Sequence, residues 1–234
     1  MDNTINTPTS EQLKQFSSGK LWNQDELYAR KIIFAGMKQR SVLNAYRELR
    51  IKLLEKSKTD NIVLLVSSVS AEQDSSNFSY NLAATFALDQ KKTALYVDCN
   101  PYSRSALQYI TSEITHGLTN YLIDETIDLR KIIYPSGVER VRVIPSGSSS
   151  EKAVEFFNSE RMAIFVAEIK ARYPDRFIIL DAPPVQSSTE ARILSRYCDH
   201  AYILLPSGQA DIEETMAAVD AVGKDKFAGI VFQS

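Results

Sequence analysis

The chain has 234 residues, 27 of them Lys or Arg and 29 Asp or Glu, with a formal net charge of −2. A hydrophobic share of 44% and a charged share of 24% are those of a globular protein and exclude a disordered, collagen-like or disulfide-scaffold chain. The balanced charge leaves no basic excess for nucleic acid, and two cysteines, Cys99 and Cys198, are too few for a disulfide framework or a zinc site.

Residues 1–20 are rich in Ser, Thr, Asn and Gln and carry no apolar period, which predicts a flexible N-terminal arm. The opening Met1-Asp2-Asn3-Thr4 is polar and unlike a signal peptide, so a reducing cytoplasm is the expected compartment. A helical extension is predicted over 21–60, with helices at 23–40 and 41–56. In the second, Val42, Leu43, Tyr46, Leu49 and Leu53 recur at three- and four-residue spacing. Its Arg47, Glu48, Arg50, Lys52 and Glu55 read as a solvated charged face.

Beyond Asp60, short unbroken apolar runs alternate with helical stretches. Strands are predicted at 61–67, 93–97, 140–144, 177–180, 201–205 and 229–232, and helices at 76–89, 118–123, 158–172, 188–197 and 211–222. The longest apolar runs, at 62–66 and 177–180, are strand-length and far short of the roughly 20 residues of a membrane helix. Apolar strands interleaved with helices predict an α/β fold over 61–234: three layers, doubly wound around a mostly parallel sheet. Ligands of such sheets bind beyond the carboxyl ends of the strands, here after Ser67, Val97 and Leu180.

Two of those ends carry acids, Val97-Asp98 and Leu180-Asp181-Ala182-Pro183-Pro184. An acid fixed at a strand tip can hold hydrated magnesium or orient a water beside a phosphate, and an Asp before Pro is also an ordinary turn former. His116 and His200 lack a second ligand at metal spacing. Cys99 has no adjacent cation to activate its thiol.

The blocks at 94–100 (ALYVDCN), 117–122 (GLTNYL), 143–147 (VIPSG), 173–184 and 190–194 (EARIL) with Asp199 resemble, in order and spacing, the cytoplasmic domain of the bacterial tyrosine kinases. Those are autokinases of capsule and exopolysaccharide biosynthesis, related to the MinD/ParA P-loop ATPases. The resemblance implies a P-loop NTPase-like domain over 61–234. The upstream helix is similar too: Asn44-Ala45-Tyr46-Arg47-Glu48-Leu49-Arg50 matches the family's Glu-x-x-Arg-x-x-Arg oligomerisation motif with Asn44 in place of the Glu. Asn44, Arg47 and Arg50 are thereby expected at a homo-oligomer interface.

A Walker A loop works because glycines let backbone N–H groups converge on phosphates, a Lys supplies a point charge and a Ser/Thr hydroxyl ligates magnesium. Aligned on Asn81-Leu82-Ala83, the loop of this chain runs from Ser68 to Asn77 and contains no glycine. Glu72 and Asp74 stand where glycines belong, Ser75 stands where the Lys belongs, and Ser76 keeps the hydroxyl. Asp74 and Ser75 are placed to cap the following helix themselves. The nucleotide-site remnant is therefore Glu72, Asp74, Ser75, Ser76 and Asn77. The family's Asp-x-Asp-x-Arg reads Asp98-Cys99-Asn100-Pro101-Tyr102, with Arg104 the nearest arginine, while Asp181-Ala182-Pro183-Pro184 matches Walker B in full.

The resemblance thus implies a polysaccharide-biosynthesis protein related to tyrosine autokinases but unable to bind ATP normally. Its expected role is a regulatory or scaffolding partner of the cytoplasmic tail of a membrane polysaccharide co-polymerase, a Wzz-like chain-length determinant, which would hold it at the inner membrane. The alternative is an active autokinase using Asp98 and Asp181, with Mg-ATP or Mg-ADP held through Ser76, Asp98 and Asp181 and a cation supplied from elsewhere.

Overall fold

In the computed structural model, which describes residues 19–57, 61–70, 74–148, 152–172, 175–208 and 211–233, seven strands form one sheet in the order β3-β4-β2-β5-β1-β6-β7. They are β1 (Val63–Ser68), β2 (Thr93–Asp98), β3 (Tyr134–Pro135), β4 (Val141–Ile144), β5 (Arg176–Asp181), β6 (His200–Pro206) and β7 (Phe227–Gln233). All pairings are parallel except that of β3 on β4.

The continuous apolar strands follow from cover on both faces. Val63 and Leu65 belong to one core with Phe157, Met162, Phe165 and Ile169. Leu64 and Val66 belong to the other, with Leu43, Leu53, Phe78, Leu82 and Phe86. Every residue of β1 and β5 is consequently buried, as doubly wound sheets require. On the first face lie α5 (Ala153–Phe157), α6 (Glu160–Arg172) and α8 (Ile212–Val222); on the second lie α2 (Arg40–Lys56) and α3 (Ser76–Ala87). Two further short helices are α4 (Leu118–Ile123) and α7 (Glu190–Leu194). No helix among the described residues is long and apolar enough to cross a membrane.

The helix expected at 23–40 is a correction. Only α1 (Gln24–Ala29) forms, opened by an Asn23–Glu26 capping box, and Lys31 with φ 56° and Gly36 with φ 86° then turn the chain out of helical geometry. The turn lets Ile32 and Ile33 bury, and the Ile33 amide donates to Asn81 Oδ1 at 2.8 Å. The helix expected at 188–197 is α7 followed by a 3-10 turn at Ser195–Tyr197. Both α5 and the two-residue β3 lie in segments the sequence pattern left as loop. The flexible arm expected at 1–20 lies outside the described residues except for Gly19 and Lys20.

Trp22 ties this N-terminal segment to the sheet edge. Its amide donates to the Gly137 carbonyl at 2.8 Å, and its indole lies so close that a Cβ on Gly137 would come within 1.9 Å of it. Gly137→Ala is expected to cost about 1 to 3 kcal/mol through overpacking and to expose the indole. Because Trp22 is the sole tryptophan, a red shift of emission alongside the lowered Tm checks this directly. Unchanged emission would contradict it.

Candidate functional site

The tips of β2, β5 and β1 lie side by side, ending at Asp98, Asp181 and Ser68. Asp98 pairs in register with Asp181, so two acids stand on neighbouring strands at the carboxyl edge. The chain then passes from β1 into α3, whose first turns face the same edge.

Asp181 occupies the middle strand and is 3% exposed. Its Oδ1 accepts hydrogen bonds from Ser75 Oγ at 2.6 Å and Ser79 Oγ at 2.9 Å, and its Oδ2 accepts one from the Tyr96 hydroxyl at 2.8 Å. Ser75 and Ser79 meet the same oxygen because residues four apart share a helix face. Burial pushes the carboxyl up to about 6, although the three hydroxyls pull it the other way.

Asp98 is 1% exposed. Its Oδ1 accepts from the Asn100 amide at 2.9 Å, while its Oδ2 is buried with no hydrogen-bond partner. Burial, and then the neighbouring Asp181 charge, push this carboxyl well above the usual carboxylate range. Burial and the Asp98 charge likewise raise the Cys99 thiol, which stays protonated and unreactive.

Asp74 closes the start of α3. Its Oδ1 accepts from the Ser76 amide and its Oδ2 from Ser76 Oγ, both at 2.9 Å. An aspartate thus occupies the donor that a helix N-terminus would otherwise offer to an anion.

These groups line a cleft of about 490 Å³ that includes Asp74, Ser75, Asp98, Asn100, Tyr102 and Asp181, with Pro183 and Pro184 on one wall. The Tyr102 hydroxyl donates to Glu190 Oε1 at 2.6 Å across the mouth, and Glu190 is itself buried. Among the described residues the lining contains three acids and no Lys or Arg.

Of the residues singled out by sequence, Asp74, Ser75, Asp98 and Asp181 therefore share one cleft. Ser76 and Asn77 do not line it: Ser76 is engaged by Asp74, and Asn77 Oδ1 accepts from Asn81 Nδ2 at 2.9 Å. Glu72 lies outside the described residues. Arg104 opens on a separate pocket of about 280 Å³ beside His116. Sequence reasoning passed over Ser79, Tyr96, Tyr102 and Glu190. For Tyr96 a signal was available, since two residues before Asp98 it points to the same face of β2.

On α2, Asn44 and Arg47 are exposed. Arg50 turns inward, and its Nη1 donates to the Thr85 carbonyl of α3 at 2.8 Å. Arg50→Ala is expected to destabilise the fold by about 1 to 2 kcal/mol, and Arg47→Ala to stay within about 0.5 kcal/mol. Urea titrations of the two variants check the contrast; equal midpoints would refute it.

The fold and this cleft define a doubly wound α/β protein with acids at the strand tips on either side of a strand–loop–helix turn. No family model matches the chain. Tyrosine-protein kinase CpsD of Streptococcus pneumoniae serotype 4 is 29% identical over 173 residues, covering 72% of this chain and 74% of that protein. Among solved structures, the kinase domain of the Escherichia coli tyrosine kinase ETK superposes with a TM-score of 0.76 at 20% identity, over 98% of this chain and 94% of that one. The septum site-determining protein MinD of Pyrococcus horikoshii, complexed with Mg-ADP, shares the fold with a TM-score of 0.60 at 17% identity, over 73% of this chain and 68% of its own. The chain is thus similar in sequence to bacterial tyrosine kinases and shares the fold of their kinase domains and of MinD.

Proposed function

We propose that this chain acts in capsule or exopolysaccharide biosynthesis as a regulatory or scaffolding member of the bacterial tyrosine-kinase family, without holding Mg-ATP in the family's usual way. The observation that carries the reading is the cleft lining: Asp74, Asp98 and Asp181 with no Lys or Arg among the described residues. Ser75 stands in the lysine position and donates to Asp181.

Magnitudes favour this reading. A like charge about 4 Å from a phosphate costs on the order of 4 kcal/mol at an effective dielectric of 20, and loss of the lysine removes an attraction of similar size. Together these match or exceed the roughly 8 kcal/mol of a micromolar affinity. The magnesium fits no better. Both Asp181 oxygens already accept hydroxyl protons, Ser76 Oγ is engaged by Asp74, and no group of three or more His, Cys, Asp or Glu among the described residues could hold a metal ion.

In this reading 61–234 is the P-loop-like domain, 21–60 the helical extension and 1–20 a flexible arm. The partner is the cytoplasmic tail of a membrane polysaccharide co-polymerase, which keeps the protein cytoplasmic and peripheral to the membrane. Self-association uses the exposed Asn44 and Arg47, while Arg50 supports α2 from within its own chain. Calorimetric titration with Mg-ATP and Mg-ADP tests the central point. The expected result is no saturable heat at millimolar nucleotide. Micromolar binding would overturn the reading and establish an active site completed by a cation from another segment or protomer.

A further inference from the structure

The two edges of the sheet are finished differently. Edge strands are usually blunted by shortness, a proline or a charge. At one edge β3 is two residues long and contains Pro135. At the other, β7 closes the strand order, and among the described residues no strand pairs with its outer side. Phe227–Gln233 is seven residues long and contains neither a charge nor a proline. Its register shift against β6, at Ala201/Tyr202, is confined to its start. The Gln233 carbonyl accepts from the Ser207 amide at 2.8 Å on the β6 side. Successive strand residues alternate the direction of their backbone groups, so Val231 also faces β6, while Ile230 and Phe232 turn their N–H and C=O groups outward. The side chains at that end are apolar as well. Phe232 is 60% exposed and stands in register with Leu205 of the first core, which places it on the first face. On the same face, α8 begins at the same end of the sheet and exposes Ile212 and Met216, one turn apart, at 76% and 59%. The three side chains leave on the order of 300 Å² of apolar surface open, the size at which a patch marks an interaction site.

We infer that β7 pairs antiparallel with β7 of a second copy of this chain across a two-fold axis, joining the two sheets into one. The outward groups fix the register. Ile230 of each copy opposes Phe232 of the other and exchanges both backbone hydrogen bonds with it, and Val231 meets its own counterpart on the axis. Both members of each bonded pair then lie on the first face, because Ile230 and Phe232 are in register with Ile203 and Leu205 of the first core. A slip that centres the pairing on Ile230 would set Phe232 opposite Ala228, which packs on the second core. Charge fits the same arrangement. The carboxyl end of β7 lies at the acidic start of α8, with Asp211, Glu213 and Glu214. At its amino end Lys56, Lys224 and Lys226 outnumber Asp220 and Asp225, and Lys56 Nζ donates to the Phe227 carbonyl at 2.9 Å. An antiparallel pair sets each acidic end beside the more basic end of the other copy. A two-fold contact uses one self-complementary patch twice, which an unrelated extended peptide would not reproduce. The contact is separate from Asn44 and Arg47 on α2 and does not depend on whether nucleotide binds.

Sedimentation velocity of the full chain over about 1 to 300 µM, the range in which small interfaces associate, tests the pairing. A monomer–dimer equilibrium is expected within it. Phe232→Pro removes an outward N–H that the chain's own sheet does not use, together with the exposed ring. It is expected to weaken the dimer by roughly tenfold or more, as the loss of an interface aromatic does, with the urea midpoint unchanged. Arg47→Glu is expected to leave the dimer intact. Cysteine cross-linking under oxidised glutathione reads the register and keeps the test open should the proline variant not fold. Val231→Cys brings two thiols together on the axis, in a pair whose Cα atoms approach to about 4.5 Å, and is expected to give a disulfide-linked dimer. Gln233→Cys faces Gly229 of the other copy and is not. Cys99 and Cys198 are buried and stay out of the reaction. A monomer throughout the range, a dimer unaffected by Phe232→Pro in the folded variant, or one lost with Arg47→Glu overturns the inference. Cross-linking of Gln233→Cys as readily as Val231→Cys overturns it too.

Discussion

Replacing Glu72 and Asp74 by glycine and Ser75 by lysine is expected to raise the affinity for Mg-ADP at least a hundredfold over the native chain, about 2.7 kcal/mol. Three changes add up in the variant. Removing Asp74 takes a carboxylate out of the cleft and frees the Ser76 amide it now engages. Glycine permits close backbone approach to an anion. Lysine supplies a cation beside the phosphates, worth on the order of 4 kcal/mol before screening. The gain has a cost in the free protein. Loss of the Asp74 cap destabilises α3 by about 1 kcal/mol, and loss of the Ser75 hydroxyl leaves Asp181 Oδ1 with one donor, Ser79. The variant is therefore expected to melt below the native chain without nucleotide and to recover on adding Mg-ADP. Parallel calorimetry and melting curves check both halves. Equal nucleotide affinity in the two proteins would show that Asp74, Ser75 and Glu72 are not what sets it.

The sheet was legible in the sequence because its central strands are buried on both faces, so each prints as an unbroken apolar run such as 62–66. Elements whose cause is tertiary were not legible. The helix expected at 23–40 stops at Ala29 because Ile32 and Ile33 pack onto α3, a demand that composition over 30–40 does not express. Strand β3 owes its two residues to pairing with β4. The same division runs through the cleft. Asp74, Asp98 and Asp181 were found as acids at expected positions along the chain. Ser79 and Tyr96 were missed because their role exists only where α3, β2 and β5 converge on one carboxylate. Arg50 adds a case in which position along the chain matches an interface motif, while the hydrogen bond of its guanidinium to the Thr85 carbonyl exists only where α2 packs on α3.

The buried acids also set the stability of the fold against pH, in the direction opposite to the usual carboxylate. Asp181 titrates near 6 in the folded chain and near 3.9 when unfolded. A raised folded value means that the native state binds the proton more tightly, so its stabilising contribution is complete below about 4 and is lost as pH rises through 6. The difference corresponds to about 3 kcal/mol at 1.4 kcal/mol per decade. Burial, and then the Asp181 charge, push Asp98 in the same direction, so it adds to the loss as pH rises. The Tm is therefore expected to climb by several degrees on acidification from pH 7.5 to pH 5, at roughly 2 to 4 °C per kcal/mol for a chain of this size. His200 opposes this, because burial holds it below its usual value, but it is half-buried and its contribution is screened. Below about pH 4 the trend reverses as exposed acids such as Asp128, held near 2 by Arg130, lose their partners. Asp98→Asn keeps an oxygen for the Asn100 amide and removes one of the two adjacent charges. It is expected to raise the Tm at pH 7.5 and to flatten the rise on acidification. A native Tm that falls between pH 7.5 and pH 5, or an Asp98→Asn variant with an undiminished pH slope, would mean that the two strand-tip carboxyls titrate normally and do not repel each other.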